Sequence, residues 1–400
     1  MGNNTTFKPS PLGPIPSDWE VKELGEIAEF LDGKRKPIKD EDRSKIQGIY
    51  PYYGASGIID YVNDYIFDDE LILLGEDGAN IINRSSPLAF KVSGKIWINN
   101  HAHVLKPING YEIGFVTEFL ESIKYDKYNT GTAQPKLNKE ICSGIPVLCP
   151  PLPEQRAIAT CLSTWDNAIT KVQALLAQKE LRKKWLMQQL LTGKKRLMGF
   201  DGEWKEVRMK DVFEKITRKN NEKNTNVVTI SAQRGFVRQE DFFNKIVASE
   251  ILDNYFLVEK GEFCYNKSYS NGYPWGATKR LNDFEKAVVT TLYICFCLKD
   301  ENKSSGDFFE QFFEANLLDR GLTQIAHEGG RAHGLLNVTP DDFFDLKIIV
   351  PEFEEQTAIA QVLQAADKEI QLLKAKADKL KEEKKGLMQQ LLTGKKRLKV

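Results

Sequence analysis

The sequence lacks the short motifs that mark the common catalytic classes. It has no G-x-x-x-x-G-K-[ST] loop, which excludes a P-loop nucleotide motor. It also has no N-P-P-Y-type tetrapeptide of the amino-methyltransferases and no glycine-rich dinucleotide fingerprint after a strand. Pro340-Asp341 has no Glu-x-Lys triplet near it that would complete a nuclease site. We therefore expect a protein without catalytic residues and without a cofactor.

Disulfide frameworks and long apolar runs are absent as well. The six cysteines show no regular spacing, so we expect them to be reduced and structural. No apolar run approaches the ~18 residues of a membrane helix, and no secretory signal is recognisable. The expectation is a soluble, cytoplasmic protein with no membrane partner.

What the sequence does contain is a long internal repeat. The segment LMQQLLTGKKRL at 186–197 recurs letter for letter at 387–398, an offset of 201 residues. The match extends backwards without a gap, and it places Gln155 on Gln356. A 12-residue identity inside one chain is not chance, so the chain is one unit written twice.

Both copies carry the apolar period of a coiled coil. Apolar positions alternate in steps of four and three, which is a 3.5-residue period and predicts a long helix packed on a long helix. Lys183 and Lys384 interrupt the two seams at the same place, which suggests a role in setting register. A single helix lying on its own globular core is the alternative interpretation. The predicted seam consists of Ile158, Leu162, Trp165, Ile169, Val172 and Leu176 in one helix and Ile359, Leu363, Ile370, Leu373, Leu380 and Leu387 in the other.

Connectivity fixes the direction of the helices. The first helix ends where the second globular half begins, so the second helix must return alongside the first in an antiparallel pair. Trp204 repeats Trp19 at an offset of 185, and strand-like runs, a helix and a glycine loop follow in both halves, with single strands expected at 96–105 and 288–298. We predict an α+β protein in which two α/β domains are separated by two long antiparallel helices that form a coiled coil, with pseudo-twofold internal repetition. The expected boundaries are an arm at 1–18, a domain at 19–150, a helix at 151–198, a domain at 199–350 and a helix at 351–400.

Charge is balanced over the whole chain but not along it. The formal net charge is zero, which by itself argues against bulk binding of nucleic acid. Residues 178–198 nevertheless carry seven basic groups and one acidic group, and residues 374–400 carry ten and three. Such a patch can bind phosphate, although a charge run is usually a solvated helix face.

The repeated segments resemble a known family. PLPEQ at 151–155, leading into a helix that closes on LLTG at 190–193, and its second copy resemble the specificity subunit of type I restriction–modification systems. GTAQPKLN at 131–138 and YGASGI at 53–58 resemble parts of the target-recognition domain of that family. The resemblance covers nearly the whole chain and is weaker in the second half, where the loop reads GRAHGL at 330–335.

The resemblance implies a division of labour. Each globular half would bind one half of a split site on double-stranded DNA, and the helices would set the unread spacer, which at 1.5 Å per residue gives a rod of roughly 55–60 Å. The helices would also dock two methyltransferase subunits, and restriction/translocase subunits would join that complex. Because the two halves differ, the DNA site should be asymmetric and bipartite.

Candidate DNA contacts are polar and basic residues of predicted loops. Of the four histidines, His101 and His103 form an H-x-H, but no carboxylate or cysteine nearby in the sequence completes a metal site, so a structural or DNA-facing role is favoured. In the first half the candidates are Lys34, Arg35 and Lys36 for phosphate, with Tyr53, Ser56, Asn80, His101 and Gln134 for bases or nearby backbone. In the second half they are Gln233, Arg234, Lys267, Ser268, Tyr269, Arg331 and His333.

Three alternatives stay open on the sequence alone. The chain could be a coiled-coil scaffold without a role in reading DNA. It could be an enzyme with an unrecognised site in one globular half. It could also be the specificity subunit of a related modification-only or phage-defence complex.

Overall fold

The computed structural model describes residues 6–243, 252–328 and 336–398. The chain forms two compact units, which we call the first unit (Met1–Ala174 with Lys374–Val400) and the second unit (Leu175–Leu373). The long helices span Leu152–Leu190 and Phe353–Leu391, so each of them contributes one half to each unit. Within the described ranges, no helix combines the length and apolarity that crossing a bilayer requires.

In its described residues, the first unit carries twelve short strands and five short α-helices ahead of the first long helix. The strands are β1 Phe7–Lys8, β2 Ile15–Pro16, β3 Glu20–Glu23, β4 Ala28–Phe30, β5 Gln47–Gly54, β6 Gly57–Val62, β7 Phe67–Asp68, β8 Leu71–Gly75, β9 Ala89–Val92, β10 Lys95–Ile98, β11 Ala102–Pro107 and β12 Pro146–Cys149. The helices are α1 Leu24–Ile27, α2 Asp40–Arg43, α3 Asn80–Asn83, α4 Ile113–Ser122 and α5 Lys139–Ser143, followed by the long helix α6 Leu152–Leu190.

The second unit follows a similar order of elements. Its strands are β13 Lys205–Arg208, β14 Phe213–Lys215, β15 Val228–Ser231, β16 Gly235–Arg238, β17 Phe256–Glu259, β18 Phe263–Asn266, β19 Ala277–Arg280, β20 Lys286–Val289, β21 Ile294–Leu298, β22 His327–Glu328, β23 Leu336–Asn337 and β24 Lys347–Val350. Its helices are α7 Met209–Val212, α8 Gln239–Phe243, α9 Gly306–Glu314, α10 Asp319–Ile325 and α11 Pro340–Asp345, followed by the long helix α12 Phe353–Leu391.

One antiparallel sheet has the same topology in both units. Its strand order is β4-β11-β8-β9 in the first unit and β14-β21-β18-β19 in the second. A separate antiparallel pair, β3 with β12 or β13 with β24, precedes the long helix in each case. Equivalent residues are 185 apart at Ala28 and Phe213 but 201 apart at Pro146 and Lys347, so the 16 additional residues of the second unit lie between these strands.

The cores repeat because the same helix face is apolar in both units. In α4 the buried residues include Phe115, Val116, Phe119 and Leu120, and in α9 they are spaced identically as Phe308, Phe309, Phe312 and Phe313. Positions i, i+1, i+4 and i+5 lie on one face of a helix, which each unit buries in its core.

The single strands expected at 96–105 and 288–298 are wrong, because each is two strands separated by a turn. Asn99 Oδ1 accepts a hydrogen bond from the backbone N–H of His101 at 2.8 Å. At the equivalent place, Thr290 Oγ1 accepts from the backbone N–H of Leu292 at 3.4 Å. Such side-chain bonds two residues along the chain offer the backbone an alternative to the strand ladder.

The long helices pack antiparallel in each unit. In the first unit the start of α6, with Ile158 and Leu162, shares a core with Leu387 and Leu391 from the end of α12. In the second unit the start of α12 shares a core with the end of α6 in the same way. The predicted fold class, two mixed α/β parts joined by a pair of long packed helices, is therefore confirmed.

The seam is enclosed along its length. All twelve predicted seam residues are buried or half-buried. Lys384 makes an ion pair with Asp166 of the other helix at 2.8 Å, and Lys183 pairs with Asp367 at 2.5 Å. Both lysines that interrupt the apolar seam thus meet an aspartate of the facing helix, which disfavours a shifted register because a shift would leave half-buried charges unpaired.

Each unit is fastened to the end of a long helix by a tryptophan, a glutamate and an arginine, which we call the first and second latch. In the first latch, Glu154 accepts a hydrogen bond from Trp19 Nε1 at 3.0 Å and two from Arg397 at 2.6 Å. In the second latch, Glu355 accepts from Trp204 Nε1 at 3.1 Å and twice from Arg196 at 2.6 Å. The arginine follows a glycine with φ near +70° that ends the helix (Gly394 and Gly193). Glycine adopts this left-handed conformation without strain and turns the chain so that the arginine reaches the glutamate.

Candidate nucleic-acid interface

The candidate residues of the first unit come from five segments that hydrogen bonds join to one another, which we call the first rim (31–36, 53–57, 75–80, 99–103 and 129–137). Arg35 joins three of these loops, because its Nη1 donates to Glu76 Oε2 at 2.6 Å and to the carbonyl of Ala102 at 2.8 Å. The backbone N–H of Asn99 donates to the carbonyl of Tyr53 at 3.0 Å. The backbone N–H of Gly78 donates to the carbonyl of Pro135 at 3.0 Å and adds the fifth loop.

Some of the predicted contacts of the first rim are exposed. These side chains are Lys34, Lys36, Ser56, His101 and Gln134. Lysine ammonium groups at such a rim suit phosphate, whereas amide, hydroxyl and imidazole groups suit base edges. His101 Nδ1 lies 2.8 Å from Asp77 Oδ2, so this imidazole is oriented by a neighbouring loop.

Other predicted contacts of the first rim organise the loops themselves. The guanidinium of Arg35 is directed at Glu76 and backbone carbonyls, as described above. The amide of Asn80 donates to the carbonyl of Ser86 at 3.1 Å and accepts from the backbone N–H of Ser86 at 2.9 Å. Tyr53 is half-buried, and burial raises the pKa of its hydroxyl. Lys136, which is not among the predicted contacts, is exposed beside Gln134 in the glycine loop, and its Nζ lies 3.4 Å from Glu76 Oε1.

The two histidines of the H-x-H point to different surroundings. His101 precedes β11 and is about half exposed, whereas His103 within the strand is 1% exposed. Residues i and i+2 of one strand share a face, but His101 lies in the turn before β11, so its side chain is not held to the face of His103. Among the residues that the structure describes, no group of His, Cys, Asp and Glu is arranged to hold a metal ion.

The second unit presents a loop at 267–276 beside the β15–β16 turn, and together we call these the second rim. Gln233 Nε2 donates to the carbonyl of Asn271 at 2.8 Å, and Asn316 Nδ2 donates to the carbonyl of Gly272 at 3.0 Å. Tyr273 donates its hydroxyl hydrogen to Glu314 Oε2 at 2.8 Å. These contacts fix the loop from two sides, the β15–β16 turn and the segment at the end of α9.

At the second rim, Arg234 is exposed and Tyr269 is 65% exposed on the fixed loop. The backbone N–H of Ser268 donates to Asn266 Oδ1 at 3.1 Å, which shapes the turn beside Tyr269. Lys267 instead extends inward: its Nζ lies 3.4 Å from the carbonyl oxygen of Val338, and burial lowers the pKa of its ammonium. The candidates Arg331 and His333 lie outside the described residues.

Comparison with known proteins decides the family. A family model described as the type I restriction modification DNA specificity domain matches residues 16–178 and again residues 201–382. The chain belongs to the type I restriction–modification specificity subunits. The two matches fall on the two copies of the repeat, and specificity subunits are non-catalytic recognition components of their complexes.

Individual relatives agree with this assignment. A putative type I restriction enzyme specificity subunit of Haemophilus influenzae is 36% identical over 163 residues, which span 40% of each chain. The MjaVIII specificity subunit of Methanocaldococcus jannaschii is 24% identical over 424 residues, which span 96% of this chain and 94% of the relative.

Solved structures agree on the fold. The crystal structure of a type I restriction–modification S subunit from M. genitalium superposes with a TM-score of 0.60 at 13% identity, covering 98% of this chain and 97% of that chain. A chain from a structure titled for complex assembly and conformational transition of the type I system superposes with a TM-score of 0.51 at 15% identity, covering 95% and 99%.

Proposed function

We propose that this specificity subunit reads an asymmetric, two-part site on double-stranded DNA, with one half-site at each rim. The observation that carries the proposal is that two units built on the same four-stranded sheet present rims with unlike side chains. The same sheet and helices recur, whereas the rim loops share neither length nor sequence. Loops on a repeated scaffold are free to vary, so two scaffolds can read two different sequences.

The chemistry of the first rim supports DNA reading. Lys34, Lys36 and Lys136 supply exposed positive charge for phosphates, and His101 and Gln134 supply hydrogen-bonding groups between them. Phosphate contacts fix orientation and base contacts specify sequence, so both kinds of group are required at one surface. The protein-internal bonds of Arg35 and Asn80 hold the loops that carry these groups.

The second rim supports the same role with different groups. Arg234 offers a planar donor fork that suits guanine or phosphate. Tyr269 offers an exposed aromatic ring on a loop that is fixed before DNA arrives, and bases stack readily on such rings. The second rim therefore presents a different set of base-reading groups from the lysine, histidine and glutamine of the first rim.

We further propose that the helix pair docks two methyltransferase subunits, to which restriction/translocase subunits join in the cytoplasm. In the second unit, apolar side chains of the helices remain exposed: Leu181 is 69% exposed and Leu372 is 63% exposed, with Leu175 and Trp185 also exposed. Exposed apolar groups on helices suit a protein partner rather than DNA.

The methylome of the host tests the function directly. Modified bases are mapped in the intact strain and in a strain that lacks this gene. We expect one bipartite, non-palindromic motif to lose its modification in the deletion strain. An unchanged methylome, or loss of a palindromic motif, would contradict the proposal.

A scaffold without DNA binding is the second candidate, and zero net charge together with the exposed apolar helix residues favours it. Affinity of the purified chain for a random duplex is measured from 50 to 200 mM salt. Neutralisation of several phosphates gives a steep linear fall of log affinity with log salt, at about 0.9 per phosphate. A flat line would favour the scaffold.

A further inference from the structure

A buried histidine supports the glycine loop of the first rim. His103 is 1% exposed, with Nδ1 2.6 Å from Asp32 Oδ2 and Nε2 2.9 Å from the carbonyl oxygen of Leu137. A carboxylate and a carbonyl both accept hydrogen bonds, so both ring nitrogens must donate. Only the imidazolium form donates from both nitrogens, so the ring is positively charged.

The charged groups around His103 suit an imidazolium. Asp32 also accepts from the backbone N–H of Val104 at 2.9 Å, which fixes the carboxylate against the ring. Glu76 Oε2 lies 3.8 Å from His103 Nδ1, and Arg35 pairs with both acids. Burial alone would lower the pKa of His103, but the hydrogen bond to Asp32 and the electrostatic effect of Cys142 outweigh it and raise this pKa to about 10.

The residue held by His103 is the base of the glycine loop. Leu137 donates its backbone N–H to the carbonyl of Glu76 at 2.7 Å, while its own carbonyl accepts from His103. Within the loop, Asn129 Oδ1 accepts from the backbone N–H groups of Gly131 and Lys136 at 3.0 and 2.8 Å. Because the loop closes on itself at residues 129–136, the bond to His103 fixes its base, together with the backbone bonds from Gly78 to Pro135 and from Leu137 to Glu76.

The second unit uses a different cation at the equivalent carbonyl. Val338 follows Leu137 by 201 residues, the offset of the neighbouring strands β12 and β24. Its carbonyl faces Lys267 Nζ at 3.4 Å, and the carbonyl of Lys267 accepts from the backbone N–H of Leu336 at 2.9 Å. The sheet register places Ile294 where the first unit has His103, so the imidazolium has no counterpart there.

We infer that His103 and Lys267 are positioning residues: through the equivalent carbonyls of Leu137 and Val338, His103 holds the base of the glycine loop and Lys267 holds the start of the loop at 267–276. Each so governs one half-site without touching DNA. This inference rests on the proposed DNA-reading function. It predicts that losing either residue changes base preference on one side of the bipartite site only.

The first arm of the test needs no DNA. The full chain, labelled with nitrogen-15 in histidine, is examined by NMR at pH 8, with His103→Gln to assign the signal. We expect the His103 ring to carry protons on both nitrogens, and we expect faster tryptic cleavage at the exposed Lys136 in His103→Gln but not in Lys267→Gln. A neutral His103 ring at pH 8, or equal cleavage in wild type and His103→Gln, would overturn the inference.

The second arm selects bound sequences from a randomised duplex library with full-length wild type, His103→Gln and Lys267→Gln. We expect each variant to lose about tenfold of the base discrimination in one half-site, a different half-site for each, as one misplaced base contact would cause. Equal losses in both half-sites would show a general structural effect and overturn the inference. If wild type selects no motif, the proposed DNA reading fails, whereas the NMR and proteolysis still decide whether the loop is held by His103.

Discussion

Substitution of Glu154 by alanine tests whether the first latch stabilises its unit. Glu154 is 1% exposed and accepts from Trp19 once and from Arg397 twice. Removing one partner of a buried ion pair costs ~3–5 kcal/mol, because the other charge stays behind. Arg397 keeps two bonds to Asp18 at 2.9 and 2.8 Å, so we expect the low end of that range.

The indole of Trp19 adds to this loss. Its Nε1 would lose its acceptor, and an unpaired buried donor costs ~1–3 kcal/mol. Since the two terms share one side chain they do not add fully, and we expect a total of about 3–4 kcal/mol. For a unit of about 200 residues this lowers Tm by roughly 10 °C.

Calorimetry and hydrogen exchange of the full chain measure the effect, with Glu355→Ala as the matched control in the second latch. We expect Glu154→Ala to speed exchange in β3 and β12, and Glu355→Ala to speed exchange in β13 and β24. A loss below ~1 kcal/mol, the scale of a surface ion pair, would refute the reasoning, as would equal deprotection of both strand pairs in either variant.

Further outcomes follow from other groups. The pKa of His103 is raised to about 10, so the contribution of this residue to stability is complete below pH 6.5 and is lost as pH rises towards 10. In urea titrations, the free energy of unfolding of His103→Gln should lack this decline. Burial, opposed by Lys384, raises the pKa of Glu118 to about 7. The free energy of unfolding should therefore fall as pH rises from 4.5 to 7, because ionised Glu118 is less stable in the fold than in the unfolded chain. Urea titrations of Glu118→Gln should not show this fall. Tyr269→Ala should weaken DNA binding by ~1–3 kcal/mol in fluorescence anisotropy with no change in Tm, and Tyr269→Phe should bind normally. Inserting one heptad into each long helix should lengthen the preferred spacer by about three base pairs, at 1.5 Å per residue and 3.4 Å per base pair, with the same half-site bases in library selection.

The helices could be predicted from the sequence because their information is local and periodic. A heptad pattern identifies its own buried positions without reference to any other segment. The exact repeat at 186–197 and 387–398 shows that both helices carry the same pattern. The pattern also identified the two lysines that interrupt the seam. Their aspartate partners could not be predicted, because each lies on the facing helix.

The equality of the two sheets could not be predicted in this way. Paired strands come from distant segments, and an alternating pattern does not state which strand is the neighbour. In the shared register Leu73 pairs with Val104 in the first unit, whereas Cys264 pairs with Cys295 in the second. Both pairs are buried and apolar, so the architecture is kept while the sequence similarity between the units is lost.

The rims were predictable as composition but not as geometry. Most of the described candidates lie in loops or turns, although Tyr53 is in β5 and Asn80 is in α3. Arg35, however, reaches Ala102 and Glu76 across 67 and 41 residues of sequence. No local signal distinguishes an arginine that holds loops together from one that faces solvent. His103 was set aside with His101 as a weak metal pattern, because its acceptors Asp32 and Leu137 lie far from it in the chain.

The exact identity of the helix ends has a physical reason in the latches. Arg397, which ends the second repeat, binds Glu154, which begins the helix of the first repeat, and both belong to the first unit. In the second unit, Arg196, which ends the first repeat, binds Glu355, which begins the helix of the second repeat. Each helix end must therefore fit the tryptophan and glutamate of the other repeat, and these two sites have nearly the same dimensions, with equal arginine–glutamate distances of 2.6 Å. The two dodecamers fill equal sites, so the same sequence suits both. The rim loops of the two units do not bind equivalent sites, so their sequences can differ. A change confined to one latch should accordingly weaken only the unit that contains it.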